Sequence, residues 1–131
     1  MPFNDIAALE GAFDDNVCAV IVEPVQGEGG VIAADGEFMS AIRRLCNSHD
    51  ALMIVDEVQS GVGRTGALYA YEHFGIQPDI MTTAKGIGGG FPIAATLATN
   101  EVAQSLQVGT HGSTWGGNPM GCAVGSAVLD I

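Results

Sequence analysis

Two short apolar runs, each ending on carboxylates and separated by a helical stretch, constrain this 131-residue chain more than any other feature. Val17 to Val22 reads VCAVIV and Leu52 to Val55 reads LMIV. Continuous apolar runs with β-branched residues are expected of strands covered on both faces, as in a parallel sheet. The first run stops at Glu23-Pro24 and the second at Asp56-Glu57. Between them Phe38, Ile42, Leu45, Cys46 and His49 recur at helical spacing, in a segment that starts near Gly36 behind a candidate cap, Asp35. Residues 17–56 therefore read as one βαβ unit with a right-handed crossover. The fold class is α/β, with a mostly parallel sheet flanked by helices.

The remaining segments extend that pattern. Ala67 to Phe74 is a short helix candidate closed by Gly75. Asp79 to Thr83 and Phe91 to Thr99 are two more strand candidates. Asn100 is placed to cap a short helix, EVAQSL. Asn118 caps the last helix, with Pro119 at its first position. That helix, PMGCAVGSAVLDI, is nearly all apolar, so burial is expected.

Composition excludes several classes. Net charge is −11, which repels phosphate backbones and anionic membrane surfaces, so neither nucleic acid nor membrane is an expected partner. No apolar run reaches the roughly 18 residues of a membrane span. The acidic start, MPFNDIAALEGAFDDN, lacks the basic segment of a signal peptide. Cys18, Cys46 and Cys122 form no CxxC pair and sit in apolar runs, so buried free thiols in a reducing cytoplasm are expected. His49, His73 and His111 lack metal-ligand spacing, and no metal site is expected. Charged residues make up 15%, against about a quarter in ordinary domains, so faces covered by another chain or by more of a longer chain are expected.

Four segments carry groups with chemistry. Lys85 is the sole lysine and sits in TTAKGIGGGFP, after a strand and before a glycine cluster. It is either a solvated lysine beside a turn or an amine that forms a Schiff base with a carbonyl. Asp56 ends an apolar strand, where ligands bind in open parallel sheets. It is either bonded to turn amides or the partner of a buried cation such as a protonated ring nitrogen. THGSTWGGNP carries the hydroxyls of Ser113 and Thr114 among glycines ahead of a helix, which suits a capped loop or a phosphate cradle. EPVQGEGG places Glu23, Gln26 and Glu28 on the same rim as Asp56. GVGRTG, residues 61–66, matches G-x-G-x-x-G but stands five residues behind the strand end, so it reads as a turn. A lysine, an acid, hydroxyls and amides on one rim are the set that pyridoxal phosphate demands.

VEPVQGEGG, IVDEVQSGVGRTG, DIMTTAKGIGGGFPI and GTHGSTWGGNP, in that order, resemble the signature blocks of the class III, ornithine-type aminotransferases, nearest to the acetylornithine and succinylornithine branch. The resemblance runs from about Val17 to the end. It implies the large domain of a fold-type I pyridoxal 5′-phosphate enzyme, in the cytoplasm and as a homodimer. It also implies transamination between N-acetylornithine, or a related ω-amino donor, and 2-oxoglutarate in arginine metabolism. Lys85 would form the Schiff base and move the substrate proton. Asp56 would hold the ring-nitrogen proton, Val58 would pack on the ring and Gln59 would reach the phenolic oxygen. Glu57 lies in the same cofactor segment. Thr114 would bind the phosphate from a neighbouring subunit, Ser113 would lie near the substrate, and Glu28 resembles a gate residue. The family's glycine–serine phosphate loop, ring-stacking aromatic and substrate-carboxylate arginine find no counterpart here. Residues 1–131 thus read as a central fragment of the large domain, inactive alone. Succinylornithine, ornithine and 4-aminobutyrate as donors, an aminomutase reaction, and a non-catalytic remnant of the fold stay open.

Overall fold

The computed structural model describes residues 1–131. In chain order it forms α1 (Ile6–Ala12), β1 (Ala19–Val22), β2 (Val25–Gln26), β3 (Ile32–Ala33), α2 (Gly36–Ser48) and β4 (Leu52–Asp56). A 3-10 helix (Ala70–Phe74), β5 (Ile80–Thr83), a second 3-10 helix (Lys85–Gly88), β6 (Ala95–Ala98), α3 (Asn100–Ala103) and α4 (Pro119–Leu129) follow. The main sheet has the order β1-β4-β5-β6, while β2 and β3 form a small separate hairpin. β1 and β4 run parallel, with Ala19 opposite Leu52 and Val22 opposite Val55. β4 and β5 are parallel too, with Asp56 opposite Thr82. β6 joins the edge antiparallel, Thr83 opposite Ala95. The expected βαβ unit and mostly parallel sheet are present.

Side-chain alternation along the strands decides where the core lies. Met53 and Val55 of β4 are fully buried against the apolar stripe of α2, namely Phe38, Met39, Ile42, Leu45 and Cys46. Leu9 of α1 completes that layer. The opposite face is open, contrary to the expectation of strands covered on both faces: Ile21 is 66% exposed, and Leu52 and Ile54 are half-buried. α1 and α2 cover one face, while α4 packs against the Lys85–Gly88 turn rather than on the sheet. At the amino end of the sheet, Asp79 Oδ2 accepts from both Arg43 Nη1 and the Met53 backbone N–H, each at 2.7 Å. That pairing ties α2 to β4 and to the start of β5.

Several local expectations are corrected. The helix at 67–74 is a 3-10 turn over Ala70–Phe74, held at its start by Tyr69 N–H donating to Glu72 Oε1 at 2.9 Å. Its end at Gly75 is left-handed, φ 62°, as glycine permits. The strand at 91–99 shortens to Ala95–Ala98, since Pro92 has no N–H for a ladder and Gly89 and Gly90 turn the chain. Thr99, not Asn100, caps α3, its Oγ1 accepting from Val102 N–H at 3.4 Å. Asp35 stands at the N-cap of α2 without a side-chain cap bond. Instead, Asn4 pins this entry, accepting from Asp35 N–H at 2.9 Å and donating to Ala33 O at 3.0 Å. Asn118 does cap α4, accepting from Gly121 N–H at 2.7 Å.

α4 is not buried as its composition suggested. Only Gly121 and Gly125 are covered, and Met120 and Leu129 are exposed. Small residues let the helix sit close to Phe91 and Ile93, and Val128, half-buried, reaches Gly89. Cys46 is a buried free thiol, but Cys18 and Cys122 are exposed, one before the open edge strand and one on α4. Burial pushes the Cys46 thiol pKa up, with Asp79 adding to the rise and Arg43 opposing it. No helix is long and apolar enough to cross a membrane.

The one-sided core sets two expectations. Met53→Ala destabilises the fold by about 2–5 kcal/mol, while Ile21→Ala costs about 1 kcal/mol or less. Urea midpoints measure both, and equal losses would show that the Ile21 face is covered. With a disulfide reagent at neutral pH, Cys18 and Cys122 react in the folded chain and Cys46 only after denaturation. A raised native pKa means that Cys46 stability is present below the ordinary thiol range and is lost as pH rises through it.

Candidate active site

Parallel strands bring the carboxyl ends of β1, β4 and β5 to one rim, and the segments that follow them meet there. Glu23 directly follows β1, Gly27 and Glu28 follow β2, Asp56, Val58 and Gln59 come from the end of β4, and Lys85 from the turn after β5. Together they line a cavity of about 180 Å³. A larger cavity of about 430 Å³ at the β1 edge shares Glu23 and Asp56 as its wall.

Each side chain in the small cavity is set by a local bond. Asp56 Oδ1 accepts from Val58 N–H at 2.9 Å, which turns the chain sharply after β4. Glu23 Oε2 accepts from Gly27 N–H at 3.0 Å and ties the end of β1 to the residue after β2. Lys85 Nζ donates to Gln59 Oε1. Lys85 itself has φ 46°, an unusual value for a residue with a side chain and a form of strain found at functional sites.

Glycines let these loops interlock. A Cβ at Gly27 would stand 3.1 Å from Gln59 Cγ, and one at Gly86 would stand 3.0 Å from Val62 Cβ. At Gly61 it would meet Glu57 O at 2.7 Å. Val62, with φ 57°, carries a second left-handed strain beside the lysine turn. GVGRTG forms turns, Gly66 N–H donating to Gly63 O at 3.2 Å, and no helix opens directly behind it.

Of the residues singled out in the sequence, Asp56, Val58, Gln59, Glu28 and Lys85 come together. Glu57 does not join them. Its side chain is fully buried on the other side of β4, where Oε2 accepts from Ser60 Oγ at 2.6 Å and Oε1 from Tyr71 N–H at 2.8 Å. A buried carboxylate without a cation costs several kcal/mol unless bonded in this way. Burial raises the pKa of the neighbouring Tyr71 phenol, and the charges of Glu72 and Glu57 add to that rise. Ser113 and Thr114 are exposed in the loop before α4, where Ser113 Oγ accepts from Gly116 N–H at 2.9 Å, and neither lines the cavity. Sequence reasoning gave no role to Glu23, although it ends β1 as Asp56 ends β4. It also did not foresee the bond between Gln59 and Lys85, which needs the three-dimensional meeting of two turns.

An amine and a strand-end carboxylate lining one small cleft, at the carboxyl rim of a mostly parallel sheet, define an α/β protein with a lysine-centred site. The chain belongs to the aminotransferase class-III family, whose profile matches residues 2–131. It is 64% identical over 131 residues to the acetylornithine aminotransferase of Shewanella oneidensis, covering all of this chain and 32% of that protein. It is 59% identical over 129 residues to the succinylornithine transaminase of Yersinia enterocolitica, covering 98% of this chain and 31% of that protein. Among solved structures, the acetylornithine aminotransferase from Elizabethkingia anophelis superposes with a TM-score of 0.93 at 46% identity, over 99% of this chain and 33% of the other. The ornithine delta-aminotransferase of Plasmodium falciparum gives 0.94 at 45% identity, over 99% and 35%. The chain spans about a third of the length of these relatives.

The close approach at Gly61 is testable. Gly61→Ala destabilises by about 1–3 kcal/mol through the clash with Glu57 O. Gly11→Ala, with open space around its Cβ position in α1, is neutral or stabilising by about 0.5–1 kcal/mol. Urea melts of the two variants check the contrast, and a neutral Gly61→Ala would refute the tight turn.

Proposed function

We propose that residues 1–131 are part of the cofactor-binding large domain of an aminotransferase that moves an amino group between N-acetylornithine, or a related ω-amino donor, and 2-oxoglutarate. The observation that carries this reading is that Lys85, the sole lysine, shares one cavity with Asp56. Those residues fit the ring end of pyridoxal 5′-phosphate: an amine for its aldehyde, a carboxylate for its ring nitrogen and the apolar Val58 for its face. When bound, that group supplies an electrophilic carbonyl and an electron-withdrawing ring.

The residues of this chain do the rest. Lys85 Nζ supplies the amine and, when free, carries a proton away from the substrate Cα. Asp56 keeps a proton on the ring nitrogen. Gln59 Oε1 accepts from the Lys85 amine and aims it, and the Gln59 amide N–H would donate to the phenolic oxygen. Glu28, exposed where it lines the cavity, acts as a gate for the two substrates in this reading. Thr114 contributes to phosphate binding from the second subunit of a homodimer, and Ser113 lies near the substrate. High identity to acetylornithine and succinylornithine enzymes supports this donor class, and with it a cytoplasmic role in arginine biosynthesis.

The cavity has no cation besides Lys85. Arg43 is engaged by Asp79 at 2.7 Å and Arg44 by Glu10 at 2.9 Å, and Arg64 does not line it. No group of this chain is therefore set to grip a substrate carboxylate. That favours a chain that takes the cofactor without turning over substrate.

The test is an absorbance spectrum of the chain with pyridoxal phosphate, before and after borohydride, with mass mapping. A reducible adduct on Lys85, lost in Lys85→Ala, is expected. An adduct confined to the Met1 amine, or one persisting in Lys85→Ala, would overturn the assignment. Bleaching of the band by N-acetylornithine would show that turnover needs no further cation.

A further inference from the structure

We infer that Glu57 is a positioning residue for this site, clamping the turn that carries Gln59 so that Gln59 holds the Lys85 amine. The inference rests on the cofactor reading above and adds to it a residue that does not touch the cavity. Glu57 is anchored at four points. Its N–H donates to Thr82 O at 2.9 Å, which joins it to β5, and its carbonyl accepts from Gly61 N–H at 2.9 Å, which closes the turn. Its carboxylate takes Ser60 Oγ at 2.6 Å with one oxygen and Tyr71 N–H at 2.8 Å with the other. Ser60 directly follows Gln59, so the carboxylate fixes the chain at the very next residue.

Two carboxylates anchor this turn. Gln59 is exposed, and its side-chain bond is the one it makes to Lys85. Val58 is tied to Asp56 from the front, and Ser60 is tied to Glu57 from behind. The 57–61 turn is thus held from both faces of the sheet at once. The next residues carry the strain onward, since Val62 sits in the left-handed region and abuts Gly86, beside Lys85. The side-chain geometry also predicts which substitute works. A glutamine amide accepts from Tyr71 N–H through its oxygen and donates to Ser60 Oγ through its nitrogen, because the hydroxyl rotates to accept. Alanine leaves Tyr71 N–H without an acceptor and Ser60 free.

The experiment reads the fraction of Lys85 trapped by borohydride at limiting pyridoxal phosphate, in the full 131-residue chain. Glu57→Ala, which removes both carboxylate bonds, lowers trapping about tenfold, and Glu57→Gln stays within about twofold of the unmodified chain. Gln59→Ala lowers trapping to a similar extent. The double variant Glu57→Ala/Gln59→Ala is no worse than either single one, since Glu57 acts through Gln59. Multiplying effects, or trapping by Glu57→Ala equal to that of the unmodified chain, would overturn the inference while leaving the cofactor reading intact. If Glu57→Ala does not fold by circular dichroism, Ser60→Ala carries the test by cutting one arm alone. A drop of about threefold there supports the clamp, and no drop overturns it. Absence of trapping in the unmodified chain would overturn the cofactor reading and the inference with it.

Discussion

The last residue of one strand and the residue that follows it organise this protein. A strand sends successive side chains to opposite faces. At the end of β4 that rule places one carboxylate, Asp56, at the cavity and the next, Glu57, in the interior. The first is available for chemistry because it is half-buried and bonded through one oxygen only. The second is fully enclosed and bonded through both. Moving the register of β4 by one residue would exchange the two, put Met53 and Val55 on the open face and dissolve the core. The parallel pairing with β1 and β5 fixes that register on both sides.

From this point outward the site is built of turns, and turns need a reason to stay put. Here the reason is backbone proximity. Gly27 lies against Gln59, Gly61 against the carbonyl of Glu57, and Gly86 against Val62. Side chains at those positions would drive the loops apart by tenths of an ångström or more, which is the scale on which a catalytic geometry is lost. The left-handed backbone at Val62 and Lys85 persists because neighbouring bonds and contacts over-determine it.

Much of this was legible in the sequence, and the exceptions share a cause. The βαβ unit showed through apolar runs and helical spacing because those patterns are local. The cap at Asn118 and the stop at Gly75 showed for the same reason. Burial was read less well. Ile21, Cys18, Cys122 and the large side chains of α4 lie in apolar stretches yet are exposed, since burial depends on what packs across from them and not on their neighbours in sequence. Capping by Thr99 in place of Asn100 turned on a one-residue shift of the helix start, which composition does not resolve. Of the candidate site residues, those following strand ends met at one rim, because topology dictates it. The pairing of Asp56 and Glu57 hid their separate tasks, since adjacency in sequence means opposition across a strand.

The electrostatics of the cavity bear on what the chain recognises. Three carboxylates, Glu23, Glu28 and Asp56, surround one amine. Such a lining favours a protonated ring nitrogen and an incoming amino group and opposes a phosphate or a substrate carboxylate. Under the cofactor reading, the anionic ends of cofactor and substrate must therefore be met by groups outside this cavity. The exposed hydroxyls of Ser113 and Thr114, in a glycine-rich loop ahead of the α4 N-terminus, have the chemistry for the phosphate but do not line the cavity of this chain's own lysine. Under the proposed homodimer, that loop would serve the partner's cavity and the phosphate would meet hydroxyls there. Under the cofactor reading the division is physical: this chain's strand ends would carry the amine and the ring-nitrogen partner, and anion binding would fall to groups away from its acidic rim.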